Sequence, residues 1–330
     1  MSLRVVFMGT PEFAARSLAS LLAAPEIEVP LVLCQPDKPR GRSKTPQPPP
    51  VKELALRAGV EVIQPRRLKS GAAPERIAAL QPDAIVVVAY GRILPPNILA
   101  LPRLGCLNVH ASLLPKLRGA APIHWAIVRG HRQSGVSIMQ MDEGLDTGPV
   151  LAMREQPISA DDETGDLHDR LMALGADLLV PTLLAHARGE LVPQAQDDAR
   201  ATWAPILTRE SGVLDWARPA AELRDQVRGM APWPGSSSTW RGASVKFFPP
   251  VDVVDGPGSL GSPGDAGLGG APGTICAVEG DAIVVTCGSG ALRIRSLQVQ
   301  GKRRLSVADF LHGRPIEPGE RMGDPREEDT

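Results

Sequence analysis

Asn108 and His110 stand two residues apart at the end of an apolar run, in the order Asn-Val-His. If this run is a strand, the alternation of side chains turns both residues to the same side. The pair is useful for acyl transfer, because an amide N–H can stabilise a developing oxyanion while an imidazole moves a proton. The same residues also fit a plainer interpretation, in which His110 is a hydrogen-bonded loop histidine and Asn108 forms a turn.

A second polar cluster follows at residues 141–149, in the order Met-Asp-Glu-Gly-Leu-Asp-Thr-Gly-Pro. Its three carboxylates, at Asp142, Glu143 and Asp146, are more than a turn requires, and its two glycines favour a tight loop between predicted strands. One of the carboxylates could orient a histidine or activate a water. A calcium loop is the competing interpretation, but these acids lack the one-three-five spacing of calcium ligands.

The elements around these residues alternate between short apolar runs and amphipathic stretches, which predicts parallel strands joined by helical crossovers. The predicted strands are residues 3–8, 28–33, 60–63, 84–89 and 106–109, followed by a strand pair at 135–141 and 150–157. The predicted helices are residues 11–23, 51–58, 74–80, 95–101 and 164–187. We therefore predict an α/β fold with a Rossmann-like, mostly parallel sheet and helices on both faces. Such sheets bind ligands beyond the carboxyl ends of their strands, where Asn108 and His110 lie.

Several classes of function are excluded by what the sequence lacks. The turn after the first predicted strand, residues 8–13, has one glycine where a dinucleotide fingerprint needs three. No glycine-rich loop is followed by the Lys-Ser or Lys-Thr pair of nucleoside triphosphatases. The cysteines are far apart, which predicts reduced thiols and no zinc or redox motif. They are Cys34, Cys106, Cys276 and Cys287.

The overall charge is nearly balanced, with 36 Lys and Arg against 37 Asp and Glu, so nucleic-acid binding would have to come from local patches. Aromatic residues make up only 3% of the chain, which disfavours binding by many stacked bases. The longest apolar run, residues 84–89, is far short of the ~20 residues that span a bilayer, and no signal peptide is recognisable. We expect a cytoplasmic protein without membrane contacts, and a monomer.

The sequence pattern changes near residue 188, and the predicted domains follow that change. A second domain is expected to contain a helix at 220–230 and β-rich stretches at 236–248, 273–278, 282–287 and 291–299, with strands of 5–8 residues, which together favour a small antiparallel, OB-like barrel. Residues 249–274 contain eight Gly and five Pro and predict a flexible inserted loop. The predicted divisions are a first domain at 1–188, a linker at 189–209, the barrel at 210–316 and an acidic flexible tail at 317–330.

Two short segments concentrate positive charge. Residues 35–44 carry four cations and one acid in a loop rich in Pro and Gly, and a second basic run lies at 302–304. Both could contact phosphates, and a basic loop is the kind of element that enters unpaired RNA ends. A solvated loop is the alternative interpretation of the first segment. The cations are Lys38, Arg40, Arg42, Lys44, Lys302, Arg303 and Arg304.

Six blocks spread over the chain carry a family resemblance. They are FMGTPEFAA (7–15), AYGRILP (89–95), NVHASLLPKLRGAAPIHWA (108–126), MDEGLDTGPVL (141–151), APWPGS (231–236) and GKRRLSVADFLHG (301–313). Together they resemble the methionyl-tRNA formyltransferases, a family of folate-dependent formyltransferases, over nearly the full length. The resemblance implies transfer of the formyl group of 10-formyltetrahydrofolate to the α-amine of methionyl initiator tRNA, in support of translation initiation and without a metal.

The resemblance also implies roles for individual residues. Asn108, His110 and Asp146 match the family's catalytic triplet, so residues 1–188 would be the formyltransferase catalytic domain. The barrel would assist tRNA binding, and the seven cations of the two basic segments would contact tRNA, with Arg42 at the best-matched position. The implied folate-binding residues are Ser112, Leu113, Leu114, Pro115, Ile93, Leu94 and Asp142.

Two features depart from the family pattern. The basic loop is rich in proline after Lys44, where the family is more basic, and the insert at 249–274 is longer than a standard barrel loop. The alternatives are a formyltransferase acting on a small amine, such as a sugar amine or glycinamide ribonucleotide, a 10-formyltetrahydrofolate hydrolase, or a non-catalytic RNA-binding protein. The two basic segments favour tRNA as the acceptor, while the sequence leaves open whether His110 acts as base, acid or both.

Overall fold

The computed structural model describes residues 2–39, 41, 45–254 and 270–323. Three predicted tRNA contacts, Arg40, Arg42 and Lys44, lie outside these residues, as do residues 255–269 of the inserted loop and 324–330 of the predicted tail. The strands up to residue 204 are β1 (Leu3–Gly9), β2 (Ile27–Leu33), β3 (Lys38–Pro39), β4 (Pro46–Gln47), β5 (Glu61–Ile63), β6 (Ala84–Val88), β7 (Cys106–His110), β8 (Arg118–Gly119), β9 (Gln133–Gln140), β10 (Val150–Pro157) and β11 (Trp203–Ala204).

Seven of these strands form one sheet, in the order β10-β9-β7-β6-β1-β2-β5. The strands from β7 to β5 run parallel, whereas β9 runs against both of its neighbours, β7 and β10. All residues of β6 are buried, as a strand covered on both faces must be. The predicted α/β fold with a mostly parallel sheet is confirmed. Because β6 and β7 are parallel neighbours, His110 lies at the carboxyl edge of the sheet.

Helices cover both faces of this sheet. On one face, Ile77 and Ile98 join Val6 and Ile85 in a single buried cluster. On the other face, Gly175 approaches so closely that a Cβ there would lie 3.0 Å from a methyl group of Val109. The helices before residue 205 are α1 (Glu12–Ala23), α2 (Pro50–Arg57), α3 (Ala72–Leu80), α4 (Pro96–Leu99), α5 (Pro122–Val128) and α6 (Thr164–Ala187).

The helix α6 has 24 residues, and by length and composition alone it could cross a membrane. Leu171, Leu179 and Leu183 on this helix are fully buried. Since Gly175 also packs against the sheet, α6 is a core helix of the first part of the chain.

The remaining strands build two four-stranded sheets whose pairings are antiparallel. Side chains from both sheets, among them Trp240, Phe247 and Ile283, share one buried cluster with Leu223 and Phe310 of the helices. The predicted small antiparallel barrel is confirmed. Its elements are α7 (Ala220–Gly229), β12 (Ser236–Trp240), β13 (Ala243–Phe247), β14 (Val251–Val254), β15 (Ile275–Val278), β16 (Ile283–Thr286), β17 (Ala291–Ile294), β18 (Ser296–Val299), β19 (Leu305–Ser306) and α8 (Val307–Gly313). The strand orders of the two sheets are β12-β13-β18-β19 and β14-β17-β16-β15.

Two of the predicted β-rich stretches each contain two strands in the structure. The stretch 236–248 is a hairpin that turns at Arg241 and Gly242, both with positive φ. The stretch 291–299 is interrupted at Arg295, and its halves, β17 and β18, belong to different sheets. The change of sheet thus falls inside one predicted stretch.

The chain divides into two compact units, and their limits differ from the predicted domains. The first unit is Met1–Pro122, Gln133–Pro157 and His168–Ala204, and the second is Ile123–Arg132, Ile158–Leu167 and Pro205–Thr330. Much of the predicted linker is thus part of the first unit.

Several residues of the predicted tail, between positions 317 and 323, contact the barrel. Met322 is 2% exposed within the barrel core. Ile275 N–H donates to the carbonyl of Glu320 at 2.8 Å. The carboxylate of Glu320 accepts from the indole N–H of Trp240, also at 2.8 Å.

Candidate active site

His110 ends β7 and is 5% exposed. Its Nε2 lies 3.0 Å from the carbonyl oxygen of Leu117, and its Nδ1 lies 3.7 Å from a carboxylate oxygen of Asp146. Asn108 is half-buried two residues earlier on the same strand, so alternation places it on the face of His110. The structure therefore brings His110 and Asp146 together at the carboxyl edge of the sheet.

Asp146 comes from the loop between β9 and β10, and its backbone has a φ of 56°. This left-handed conformation is uncommon for residues other than glycine. Asp146 Oδ2 accepts a hydrogen bond of 2.8 Å from the backbone N–H of Gly119. Gly119 is required there because a Cβ would lie 2.7 Å from the carbonyl oxygen of Ala204. Sequence reasoning missed Leu117 and Gly119, since both act through backbone atoms.

The two contacts of the His110 ring define what it can do. A carbonyl oxygen only accepts, so Leu117 places the proton of the neutral ring on Nε2 and leaves Nδ1 free to take up a proton. A proton received at Nδ1 then faces the carboxylate of Asp146. With the amide of Asn108 beside it, the arrangement can exchange a proton with a substrate and stabilise an oxyanion.

The three acids of the loop have different surroundings. Asp142 is exposed, and its Oδ1 accepts from the backbone N–H of Gly144 at 3.0 Å and from the hydroxyl of Thr147 at 2.7 Å. Asp142 therefore closes its own loop, whereas Asp146 faces the histidine. Glu143 is exposed.

The predicted folate segment at 112–115 directly follows His110. Ser112 is buried, and its hydroxyl donates to the carbonyl of Lys116 at 2.6 Å. Leu114 is buried beside Met139 and Val150. Leu113 and Pro115 are half-buried. The segment is a tightly bonded turn that leaves two of its four side chains partly accessible.

The other two predicted folate residues differ in exposure. Ile93 is 84% exposed, whereas Leu94 is buried in the core of the first unit. Ile93 lines a cavity of about 390 Å³. The other lining residues are Arg67, Leu68, Lys69, Arg92 and Pro95.

The basic loop is anchored at its base. Lys52 Nζ donates to both carboxylate oxygens of Asp37 at 2.9 and 2.8 Å, and Gln64 Nε2 donates to Asp37 Oδ1 at 2.7 Å. These hydrogen bonds, first from Lys52 and then from Gln64, hold the pKa of the Asp37 carboxyl below its ordinary value. Lys38, the first predicted tRNA contact, is exposed next to this anchor.

The second basic run lies after β18 in the other unit. Lys302, Arg303 and Arg304 are all exposed. The guanidinium of Arg304 stacks 4.2 Å from the ring centroid of Phe248, and its Nε donates to the hydroxyl of Ser296 at 2.8 Å. The protein surface thus holds Arg304 in place.

The four cysteines are free thiols. Burial raises the pKa of Cys34 to about 11 and the pKa values of Cys106 and Cys287 to about 12. Within the described ranges, no group of three His, Cys, Asp or Glu side chains is arranged to hold a metal ion.

Comparisons with known proteins cover both units. The formyl transferase family model matches residues 3–183, and the model of the formyl transferase C-terminal domain matches residues 206–315. Methionyl-tRNA formyltransferases from Citrifermentans bemidjiense and Trichlorobacter lovleyi are 47% and 46% identical, over 97% and 96% of this chain and 96% of each relative.

The solved structures show the same fold at lower identity. An N-formyltransferase from Helicobacter canadensis, in complex with folinic acid and dTDP-3-aminofucose, is 14% identical and superposes with a TM-score of 0.63. That comparison covers 92% of this chain and all of the neighbour. The curated relatives exceed it in identity and match almost end to end. The chain therefore belongs to the formyl transferase family and, within it, to the methionyl-tRNA formyltransferases.

Proposed function

We propose that this chain transfers the formyl group of 10-formyltetrahydrofolate to the α-amine of the methionine carried by initiator tRNA, and so supports translation initiation. The observation that carries the proposal is the 47% identity to a methionyl-tRNA formyltransferase over 97% of the chain. The folinic acid in the Helicobacter canadensis neighbour supports a folate as the formyl donor.

The site residues supply the two kinds of help that this reaction needs. Attack of the amine nitrogen on the formyl carbon makes a tetrahedral oxyanion, which the Asn108 amide stabilises by hydrogen bonding. His110 takes the surplus proton of the attacking amine at Nδ1 and returns it to N10 of the folate as the bond from N10 to the formyl carbon breaks. Asp146 faces the proton while the ring holds it. General acid–base catalysis of this kind contributes roughly 10²–10⁴-fold to the rate.

The substrates are assigned to surfaces of the two units. Residues 112–115 follow His110 directly, and together with Ile93, Leu94 and Asp142 they are the proposed folate contacts. Leu94 is buried in the core, whereas Ile93 beside it is exposed. Lys38, with Arg40, Arg42 and Lys44 beyond it, is assigned to tRNA, as are Lys302, Arg303 and Arg304. We also propose that the enzyme works as a monomer in the cytoplasm.

The test is formyl transfer from 10-formyltetrahydrofolate, with methionyl-tRNA and free methionine as alternative acceptors. The matched variants are His110→Ala and His312→Ala, the latter an exposed histidine of α8. Formylation of the charged tRNA alone, lost only in His110→Ala, supports both the acceptor and the site. Folate turnover without formylated tRNA points instead to a small amine or water as the acceptor, and absence of turnover rejects the activity.

A further inference from the structure

The segment of residues 194–204, which the sequence indicated as part of a linker, runs beside the candidate active site. Its β11 pairs in parallel with β8, and Gln194 exchanges two backbone hydrogen bonds of 2.8 Å with Val150. Thr202 Oγ1 accepts from the backbone N–H of Leu117 at 2.9 Å. The carbonyl of Leu117 in turn contacts His110 Nε2, so this segment holds the residue to which the ring is hydrogen-bonded.

Gln196 is the side chain of this segment that reaches the loop of Asp146. Its Nε2 donates to the carbonyl oxygen of Asp146 at 2.9 Å and to that of Gly148 at 2.7 Å. Its Oε1 accepts from Nε and Nη2 of Arg118 at 3.0 and 2.8 Å. All the polar atoms of this one amide are therefore engaged, with both donors on the backbone of the loop.

Arg118 fixes the orientation of that amide. The arginine is 3% exposed, and its Nη2 also donates to a carboxylate oxygen of Asp198 at 2.7 Å. Because a guanidinium only donates, the oxygen of Gln196 must face Arg118 and its NH₂ must face the loop. The arrangement thus requires an amide at position 196.

The loop needs such support because of its backbone. Asp146 has a φ of 56°, a conformation that persists only where the surroundings hold it. The two hydrogen bonds from Gln196 hold the carbonyl groups of residues 146 and 148. They therefore fix the backbone of the loop from which the Asp146 side chain extends. A loosened peptide would let the carboxylate leave the position 3.7 Å from His110 Nδ1.

We infer that Gln196 is a positioning residue for the reaction, which acts through the loop backbone to keep the Asp146 carboxylate opposite His110. The inference rests on the proposed formyl transfer for its kinetic consequences. Gln196 does not touch the reacting atoms. Its substitution should therefore lower kcat, change the NMR signals of the His110 ring and leave the KM for both substrates unchanged.

The decisive variant is Gln196→Glu, which keeps the size of the side chain and an acceptor for Arg118 but removes both donors. Gln194→Glu is the matched control, because it adds the same charge at an exposed position of the same segment. We expect kcat to fall about tenfold to a hundredfold in Gln196→Glu, as small misplacements of catalytic groups do. The control should retain the wild-type kcat. Equal kcat values in the two variants overturn the inference.

A double-mutant cycle separates positioning from a general loss of structure. In an Asp146→Asn background, Gln196→Glu should cost no further activity, because the carboxylate that Gln196 positions is already gone. Full additivity of the two effects overturns the inference. If the wild-type protein does not formylate methionyl-tRNA, the proposed function is rejected. The role of Gln196 is then tested by NMR, which needs no turnover.

NMR spectra of the His110 ring test the inference without any turnover. We expect the chemical shifts of the His110 imidazole to change in Gln196→Glu and to match wild type in Gln194→Glu. Unchanged His110 signals in Gln196→Glu overturn the inference, whichever acceptor the enzyme uses.

Discussion

The His110–Asp146 pair and the basic loop both follow carboxyl ends of strands in one sheet, yet they are held in different ways. Around His110, which is 5% exposed, the contacts come from residues 117, 119, 146 and 196, which belong to three separate segments of the chain. The basic loop is held at its base by Asp37, Lys52 and Gln64, on a half-buried part of the surface.

The difference follows from what each region is proposed to do. Proton transfer and oxyanion stabilisation depend on atoms placed to within fractions of an ångström, and contacts from several segments around a buried ring give that precision. Binding of RNA phosphates depends on charge and tolerates mobile side chains. Substitutions in the first region should therefore change kcat, and those in the second should change the KM for tRNA and its dependence on salt.

The largest difference between the two regions is expected from substitution of Asn108. Asn108→Ala should lower kcat by about 10²–10³-fold, because it removes a donor to the oxyanion. Asn108→Asp keeps the size of the side chain but replaces the donor with a carboxylate oxygen, so it should be at least as slow. Steady-state kinetics with both substrates measures this. A raised KM for tRNA with an unchanged kcat would place Asn108 with the binding residues and break the comparison.

A smaller effect is expected at the anchor of the basic loop. Lys52→Met should raise the KM for tRNA by roughly two- to fivefold, the range that a partly exposed ion pair supports, and leave kcat unchanged. Asp37→Asn is the control, because it weakens the same contact while keeping the charge of Lys52. Similar KM values for both variants identify an anchor, whereas an effect of Lys52→Met alone identifies a direct contact with tRNA.

Sequence patterns predicted the elements of the sheet well because buried parallel strands are continuous apolar runs. Residues 84–89 were predicted as such a strand, and Ala84–Val88 forms one. The same patterns placed Asn108 and His110 at a strand end, which β7 reproduces. The local sequence is enough to predict a strand when the burial of that strand requires a continuous apolar run.

Contacts between distant segments left no such signal. The two residues of β11 pair with the two of β8 across some 80 positions, too short a match for any periodicity to mark. Residue types and spacing alone could not choose among Asp142, Glu143 and Asp146 either, because the choice depends on which carboxylate the loop turns toward His110. Only the family resemblance singled out Asp146. Gln196 stood in a polar stretch with no local reason to single it out.

A still smaller effect is expected in the barrel, where Arg303 is proposed to contact a tRNA phosphate. Arg303→Ala should weaken tRNA binding and lower the slope of log affinity against log salt by about one, as loss of one phosphate contact does. Arg188→Ala is the control, since that arginine is exposed and paired with Glu190. Binding titrations at several salt concentrations measure the slope. An unchanged slope in Arg303→Ala would remove this residue from the tRNA contacts.

The smallest effect is expected in the pH dependence of the Asp37–Lys52 ion pair, which anchors the basic loop. The folded-state pKa of Asp37 lies below its ordinary value, so its ion pair stabilises the folded protein above the unfolded-state value, ~3.8–3.9 for aspartate. That contribution is lost as the pH falls through the lowered folded-state pKa. The coupling free energy between Asp37→Asn and Lys52→Met, from denaturant unfolding of the four proteins, should therefore be constant from pH 7 to pH 5 and vanish in stronger acid. A coupling that persists after Asp37 is protonated would mean that packing, not charge, holds the base of the basic loop.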